Sequence, residues 1–99
     1  MATDVKITRE DGQRRGRYVA KLDGIDGEGE LVYSHAGEKL ISADHTGVPD
    51  AFRGRGVGLA LVERLVADAR AEGFRIIARC PYVLREWKKH PEWNDLFQE

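Results

Sequence analysis

The chain reads as an α/β (α+β) fold, with antiparallel strands in its first half, then a glycine loop, a central helix, a parallel strand and short C-terminal helices. Three observations predict it. Up to Val48, short runs of alternating apolar and polar residues are separated by brief turns rich in glycine and aspartate, as in an antiparallel meander. Arg53-Gly54-Arg55-Gly56-Val57-Gly58 then leads straight into apolar residues at helical spacing. A β-rich segment follows, and a strand reached through a helix lies parallel to the strand before it.

Ninety-nine residues predict one domain, 1–99, with a single modest core. A hydrophobic content of 41% and a charged content of 33% place it among ordinary globular chains. No apolar run approaches the roughly 18 residues of a membrane span, so no membrane partner is expected. Met1 to Lys6 has neither the basic nor the apolar region of a signal peptide, and the lone Cys80 permits no internal disulfide. Both predict a cytoplasmic protein. A net charge of −1 argues against an extended nucleic-acid face.

Thr3 to Arg9 alternates Val5 and Ile7 with polar residues and predicts the first strand. Asp11-Gly12 turns the chain, and Arg14-Arg15-Gly16-Arg17 reads as a solvated link. Tyr18, Ala20 and Leu22 share one face of a second strand. Asp23 to Gly29 is turn chemistry, and Glu30 to His35 predicts a third strand. After a turn at Ala36-Gly37-Glu38, Lys39 to Val48 predicts a fourth, with Ile41, Ala43 and His45 opposite Leu40, Ser42, Asp44 and Thr46. Pro49 ends it. From Val57, Leu61, Val62, Leu65, Val66 and Ala69 form a helical stripe that Gly73 terminates. Phe74 to Cys80 predicts the parallel strand, Tyr82 to Lys89 a short helix broken by His90-Pro91, and Glu92 to Phe97 a last turn or two.

The glycine loop is the main functional signal. Glycines bare the backbone N–H groups, and the helix behind them adds unpaired donors and the positive end of its dipole. That combination cradles a phosphate or pyrophosphate. A P-loop requires Gly-Lys-Ser/Thr, and Gly58-Leu59-Ala60 lacks it. A dinucleotide site requires G-x-G-x-x-G and an acidic ribose anchor on a second βα unit, which fits poorly with G-x-G-x-G and one strand–helix–strand unit.

Val48-Pro49 followed by Arg53-Gly54-Arg55-Gly56-Val57-Gly58 resembles the [Q/R]-x-x-G-x-[G/A] motif of the GNAT superfamily of acetyl-CoA-dependent N-acetyltransferases, with Arg53, Gly56 and Gly58 at its defining positions. The order of elements resembles the superfamily core as well. Cys80, Val83 and Trp87 keep the spacing of its N-x-x-A-x-x-x-Y segment with changed identities. His45-Thr46, Cys80-Pro81-Tyr82-Val83 and His90-Pro91-Glu92 resemble a branch of very small, single-domain GNAT-like proteins, over roughly Tyr18 to Leu96.

The resemblance implies acetyl-CoA in a cleft where the strands flanking the helix splay apart. Backbone N–H groups of Arg53, Gly54, Arg55, Gly56, Val57 and Gly58 would hold the pyrophosphate, with both arginines adding charge. The exposed backbone from Asp44 through Thr46 to Val48 would pair with pantetheine amides, and Cys80 and Tyr82 would complete the cofactor contacts. The implied activity is acetyl transfer to an amine on a protein or small molecule, by a monomer or weak dimer.

Transfer needs a base for the ammonium and a donor for the leaving thiolate. Trp87 stands where many GNATs carry a tyrosine, and indole cannot be that acid; Tyr82 is a substitute. Cys80 could contact the thioester or accept the acetyl group, and equally serve as a small buried hydrophobe. His45 could be the base, or orient the loop. His35 and His90 have weaker claims, and no His/Cys pair shows metal-ligand spacing. The rivals are a non-catalytic acyl-CoA-binding or sensing module, and a nucleic-acid module using Arg14, Arg15, Arg17, Arg53 and Arg55.

Overall fold

A computed structural model describes residues 5–99. The elements are β1 (Val5–Asp11), β2 (Arg15–Leu22), β3 (Ile25–Gly37), β4 (Leu40–Gly47), a 3₁₀ turn (Asp50–Phe52), α1 (Val57–Glu72), β5 (Arg75–Ala78), α2 (Pro81–Lys89), a second 3₁₀ turn (Pro91–Trp93) and β6 (Phe97–Gln98). One sheet holds all six strands in sequence order. The first three pairings are antiparallel, and β4–β5 and β5–β6 are parallel.

The predicted α/β architecture is present, with local differences. Thr3 and Asp4 of the expected first strand lie outside the described residues. Arg15 to Arg17 is not a link but the start of β2, where Arg17 is held by Glu10 at 2.9 Å, Glu28 at 3.3 Å and Glu30 at 2.9 Å. Asp23 to Gly29 is not one long turn: only Asp23 and Gly24 turn, and β3 begins at Ile25. Gly29 lies inside β3 because a Cβ there would come within 3.2 Å of Val57 at the start of α1. The third turn falls at Glu38-Lys39, one residue later than expected. Phe97 belongs to an unanticipated sixth strand rather than to a last helical turn. Two residues are too few for alternation to register.

Tyr18, Ala20, Leu22, Leu31, Tyr33, Ile41, Ala43 and Ile76 form the buried face of the sheet. Helix α1 lays Leu61, Val62, Leu65, Val66 and Ala69 across it, and Gly73 caps the helix at φ 76°. Burying those five side chains supplies on the order of 10 kcal/mol before conformational entropy is subtracted. Helix α2 sits on the same side. Its Tyr82 phenol packs on Gly58, Trp93 shares a hollow with Val66, and Trp87 stacks on Phe97 at 5.3 Å. Among the described residues no helix covers the opposite face, where Val19, Val32, Ser42 and Ile77 point by strand alternation.

A polar network fastens β1 and β2 to α1. Asp68 accepts from the Tyr18 hydroxyl at 2.8 Å, from Arg9 at 3.4 Å and from Arg64 at 3.3 Å. Arg9 also donates to Tyr33 Oη at 3.1 Å and to Glu72 at 2.7 Å. Burial and the bond to Asp68 push the Tyr18 hydroxyl far above the ordinary tyrosine value, so it stays a donor. The Tyr33 hydroxyl donates to Asp11 and holds its carboxyl below the usual range.

Asp68→Ala strands the buried Tyr18 hydroxyl and is expected to cost about 2 kcal/mol in urea denaturation with an unchanged m value. A loss within ~0.5 kcal/mol of zero would show that Asp68 fastens nothing. At Gly58 a Cβ would stand 2.6 Å from the Tyr82 hydroxyl. Gly58→Ala is therefore expected to destabilise by ~1–2 kcal/mol. In a Tyr82→Ala background the same change should be neutral or stabilise by up to ~1 kcal/mol, since alanine is the better helix former. A thermal double-mutant cycle showing no coupling would contradict the contact.

Candidate functional site

The β3–β4 register skips a residue: Val32 pairs with His45, Tyr33 with Ala43, and Asp44 is left between them. This β-bulge reverses the expected alternation. Thr46 now opposes the buried Leu31, on the core side, while His45 opposes Val32 on the helix-free face and is exposed. His45 therefore does not share a face with Ile41 and Ala43 as the strand pattern predicted. An unpaired residue leaves no composition signal that alternation could detect.

The parallel β4–β5 ladder stops at the same point. Its last pair is Ala43 with Ala78, after which only the Cys80 N–H reaches back, to the Ala43 carbonyl at 2.9 Å. Beyond the bulge β4 continues to Gly47 on β3 alone, so the two parallel strands part. Cys80 lies at the fork, 4% exposed, with Sγ 3.4 Å from the Thr46 hydroxyl. Pro81 opens α2 directly after it, where its missing N–H costs nothing.

The glycine loop borders the same fork. Phe52, 1% exposed, anchors the 3₁₀ turn in the core. The chain then passes through Gly54 and Gly56, both at positive φ, into α1. Gly56 caps α1 without any side-chain hydrogen bond, and the first helical bond runs from Ala60 N–H to its carbonyl. The N–H groups of the first turn thus face outward at the positive end of a 16-residue helix.

A cleft of about 270 Å³ lies over this turn, lined by Val48, Pro49, Phe52, Arg53, Gly54, Gly56, Val57, Gly58, Leu59 and Tyr82. Seven of the residues expected to meet a cofactor, Val48, Arg53, Gly54, Gly56, Val57, Gly58 and Tyr82, therefore line one cleft. Thr46 and Cys80 lie deeper, at the fork. Arg55 is exposed in the loop but does not line the cleft. Arg53 Nη2 donates to Asp50 at 3.0 Å on an open surface, a pair weak enough to rearrange. Burial, then nearby Glu86, raises the Tyr82 pKa, so its phenol is a neutral donor at the cleft wall.

The remaining sequence candidates fall elsewhere. His35 is 3.0 Å from Asp11 at the far end of the sheet, and His90 ends α2 and stacks on Trp93 at 4.0 Å. Trp87 donates to Asn94 at 2.8 Å and stacks on Phe97. Phe52, Leu59 and the bulge at Asp44 were not singled out in the sequence, and Pro49 was read there only as the end of the fourth strand and the lead-in to the loop. Only Phe52 carried a usable signal, as an apolar residue heading a glycine loop. Among the described residues no helix is long and apolar enough to cross a membrane.

Comparison with known proteins bears on the fold and the family. A family model of the GCN5-related N-acetyl-transferases matches residues 17–96. Protein NATD1 of Bos taurus is 31% identical over 85 residues, which is 86% of this chain and 75% of the relative. Protein NATD1 of Homo sapiens is 29% identical over the same shares. The solution structure of a GCN5-like candidate N-acetyltransferase from Staphylococcus aureus superposes with a TM-score of 0.69 at 27% identity, covering 97% of this chain and 88% of that one. The fork, the glycine loop and the match across residues 17–96 lead to one assignment: this chain belongs to the GCN5-related N-acetyltransferase family.

Proposed function

We propose that the chain binds acetyl-CoA and transfers its acetyl group to an amine. The observation that carries this is the union of an uncapped α1 N-terminus with the fork between β4 and β5. Phosphates bound at the glycine loop would direct the attached pantetheine toward Thr46 and Cys80. The loop amides and the helix dipole favour a pyrophosphate. The open edge of β4 past Ala43 offers donors and acceptors to an extended amide chain, as an added strand does.

Bound acetyl-CoA supplies a thioester carbonyl at the fork. For turnover, the acceptor ammonium first loses a proton, and its nitrogen then attacks the carbonyl. The C–S bond breaks, and the thiolate leaves with a proton. Tyr82, held neutral by burial, is suited to donate a hydrogen bond on the cofactor side. His45 lies across the sheet on the open face, suited to take a proton from an acceptor arriving there. Cys80, bonded to Thr46 and almost wholly buried, fits a cofactor contact better than an acetyl carrier.

A second reading, an acyl-CoA-binding module without turnover, is favoured by Trp87, whose indole is committed to Asn94 where a phenol would serve as the acid. The nucleic-acid reading loses ground, because Arg17 is enclosed by three carboxylates.

Acetyl-CoA and CoA at about 100 times their Kd are expected to stabilise the protein by ~2.7 kcal/mol, several degrees in Tm, with little effect from ATP. No shift with either CoA species would reject the cofactor. Gly56 sits at φ 73° with open space around it, a conformation that Asn and Asp tolerate. Gly56→Asp is expected to weaken CoA binding by about ten-fold or more relative to Gly56→Asn, because only the carboxylate repels the pyrophosphate. Equal affinities would place the phosphates elsewhere. Release of free thiol from acetyl-CoA in the presence of amines separates transfer from mere binding.

A further inference from the structure

We infer that the hollow at the C-terminal end of α1 binds a free α-amino acid with a small apolar side chain. The inference stands apart from the acetyl-CoA reading and does not depend on it.

The hollow has a volume of about 180 Å³. That is less than the roughly 300–1,000 Å³ of a pocket for a drug-sized ligand, so its occupant is small. Leu40, Ile41 and Phe74 form an apolar floor, the last two 3% and 5% exposed. Arg9, Asp11, Lys39 and Glu72 stand around that floor. No residue is shared with the cleft over the glycine loop. The two lie at opposite ends of α1, whose 16 residues span about 24 Å. Bound a helix length from the cofactor cleft, the amino acid is a second ligand and not the acetyl acceptor.

Two cations thus face two carboxylates, and each of the four keeps bonding capacity that nothing among the described residues uses. Arg9 spends Nε on Tyr33 at 3.1 Å, and Nη1 on Glu72 at 2.7 Å and Asp68 at 3.4 Å. Both N–H groups of its Nη2 remain. The guanidinium is held in place as well, 5.6, 5.7 and 6.0 Å from the ring centroids of Tyr18, Tyr33 and Phe74. Lys39 donates one N–H to the Glu72 carbonyl at 3.2 Å and pairs with no carboxylate. Asp11 takes both the Tyr33 hydroxyl and His35 Nε2 on Oδ1, which leaves Oδ2. Glu72 takes Arg9 on Oε2, which leaves Oε1.

Lys39 also sits at φ 57°, and among the described residues no other non-glycine has a positive φ. A lysine side chain disfavours that region, so the turn holds its ammonium over the end of α1 against backbone preference. A ligand of net charge would meet two groups of its own sign here. A molecule with one anion and one cation a short distance apart satisfies all four. In a free amino acid the carboxylate meets Lys39 and Arg9 Nη2, the ammonium meets Asp11 Oδ2 and Glu72 Oε1, and the side chain covers the floor.

The test titrates the whole protein at neutral pH with L-valine and follows amide NMR shifts. Isobutylamine, which is valine without its carboxylate, and 3-methylbutanoate, which is valine without its amine, are the controls. Saturable shifts are expected around residues 9–11, 35–41 and 72–74 at millimolar valine. Each control should bind about ten-fold more weakly or worse, because each forgoes its charge-assisted hydrogen bonds. Valine should lose affinity by a similar factor in Lys39→Asn and in Asp11→Asn. Asparagine tolerates the left-handed backbone at 39, and at 11 it keeps an oxygen for the Tyr33 hydroxyl. A titration of Lys39→Asn equal to wild type, equal shifts from both controls, or no localised shifts in wild type would each overturn the assignment. Shifts centred on residues 46–58 would put valine in the cofactor cleft and overturn it too. Should Asp11→Asn fail to fold, Lys39→Asn decides the matter alone.

Discussion

A parallel pair of strands can part only where one of them stops offering its edge, and here the extra residue at Asp44 coincides with that point. Past Ala43 the strand keeps its bonds to β3, but among the described residues its other side has no backbone partner beyond the Cys80 N–H. The same insertion turns Thr46 inward to meet Cys80 and leaves His45 outward. A regular β4 would have continued the ladder, closed the fork and put His45 toward the core. The site is therefore a consequence of register before it is a consequence of any side chain.

Electrostatics at the fork follows from backbone more than from charge. The arginines of the loop are exposed, and one of them is already paired with Asp50. What remains fixed is the row of N–H groups at the head of α1, held open because Gly56 brings no capping side chain. Phe52 keeps that row in place by burying its ring beneath the loop. Tyr82 adds a neutral hydroxyl, and the close approach that positions it is possible only because residue 58 has no Cβ.

Much of the fold was legible in the sequence because it rests on local signals. The stripe from Val57 to Gly73 marks α1 at both ends, and Tyr18, Ala20 and Leu22 lie on the buried face as alternation requires. The glycine loop, read as a phosphate cradle, does line a cleft. The failures share a physical origin. Gly29 looked like a turn because glycine usually is one, whereas its role is to let α1 approach. Arg15 to Arg17 looked like a link, whereas they open β2, where cross-strand carboxylates hold Arg17. The face of His45 depends on an unpaired neighbour, and the direction of the Asp44 carboxylate depends on two serines eight residues apart. Neither relation is periodic, so only the assembled sheet displays them.

Strand order equal to sequence order has a consequence for how the chain reaches this state. Each strand finds its partner in the segment made immediately before it, so the sheet can grow from one end, strand by strand. The widest gap to be closed is the α1 crossover between β4 and β5, and much of that gap is taken up by a helix that forms locally. The entropy of loop closure is thus spread over short steps. The fork, which lies after the fourth strand, is assembled on a platform of three antiparallel pairings already in place.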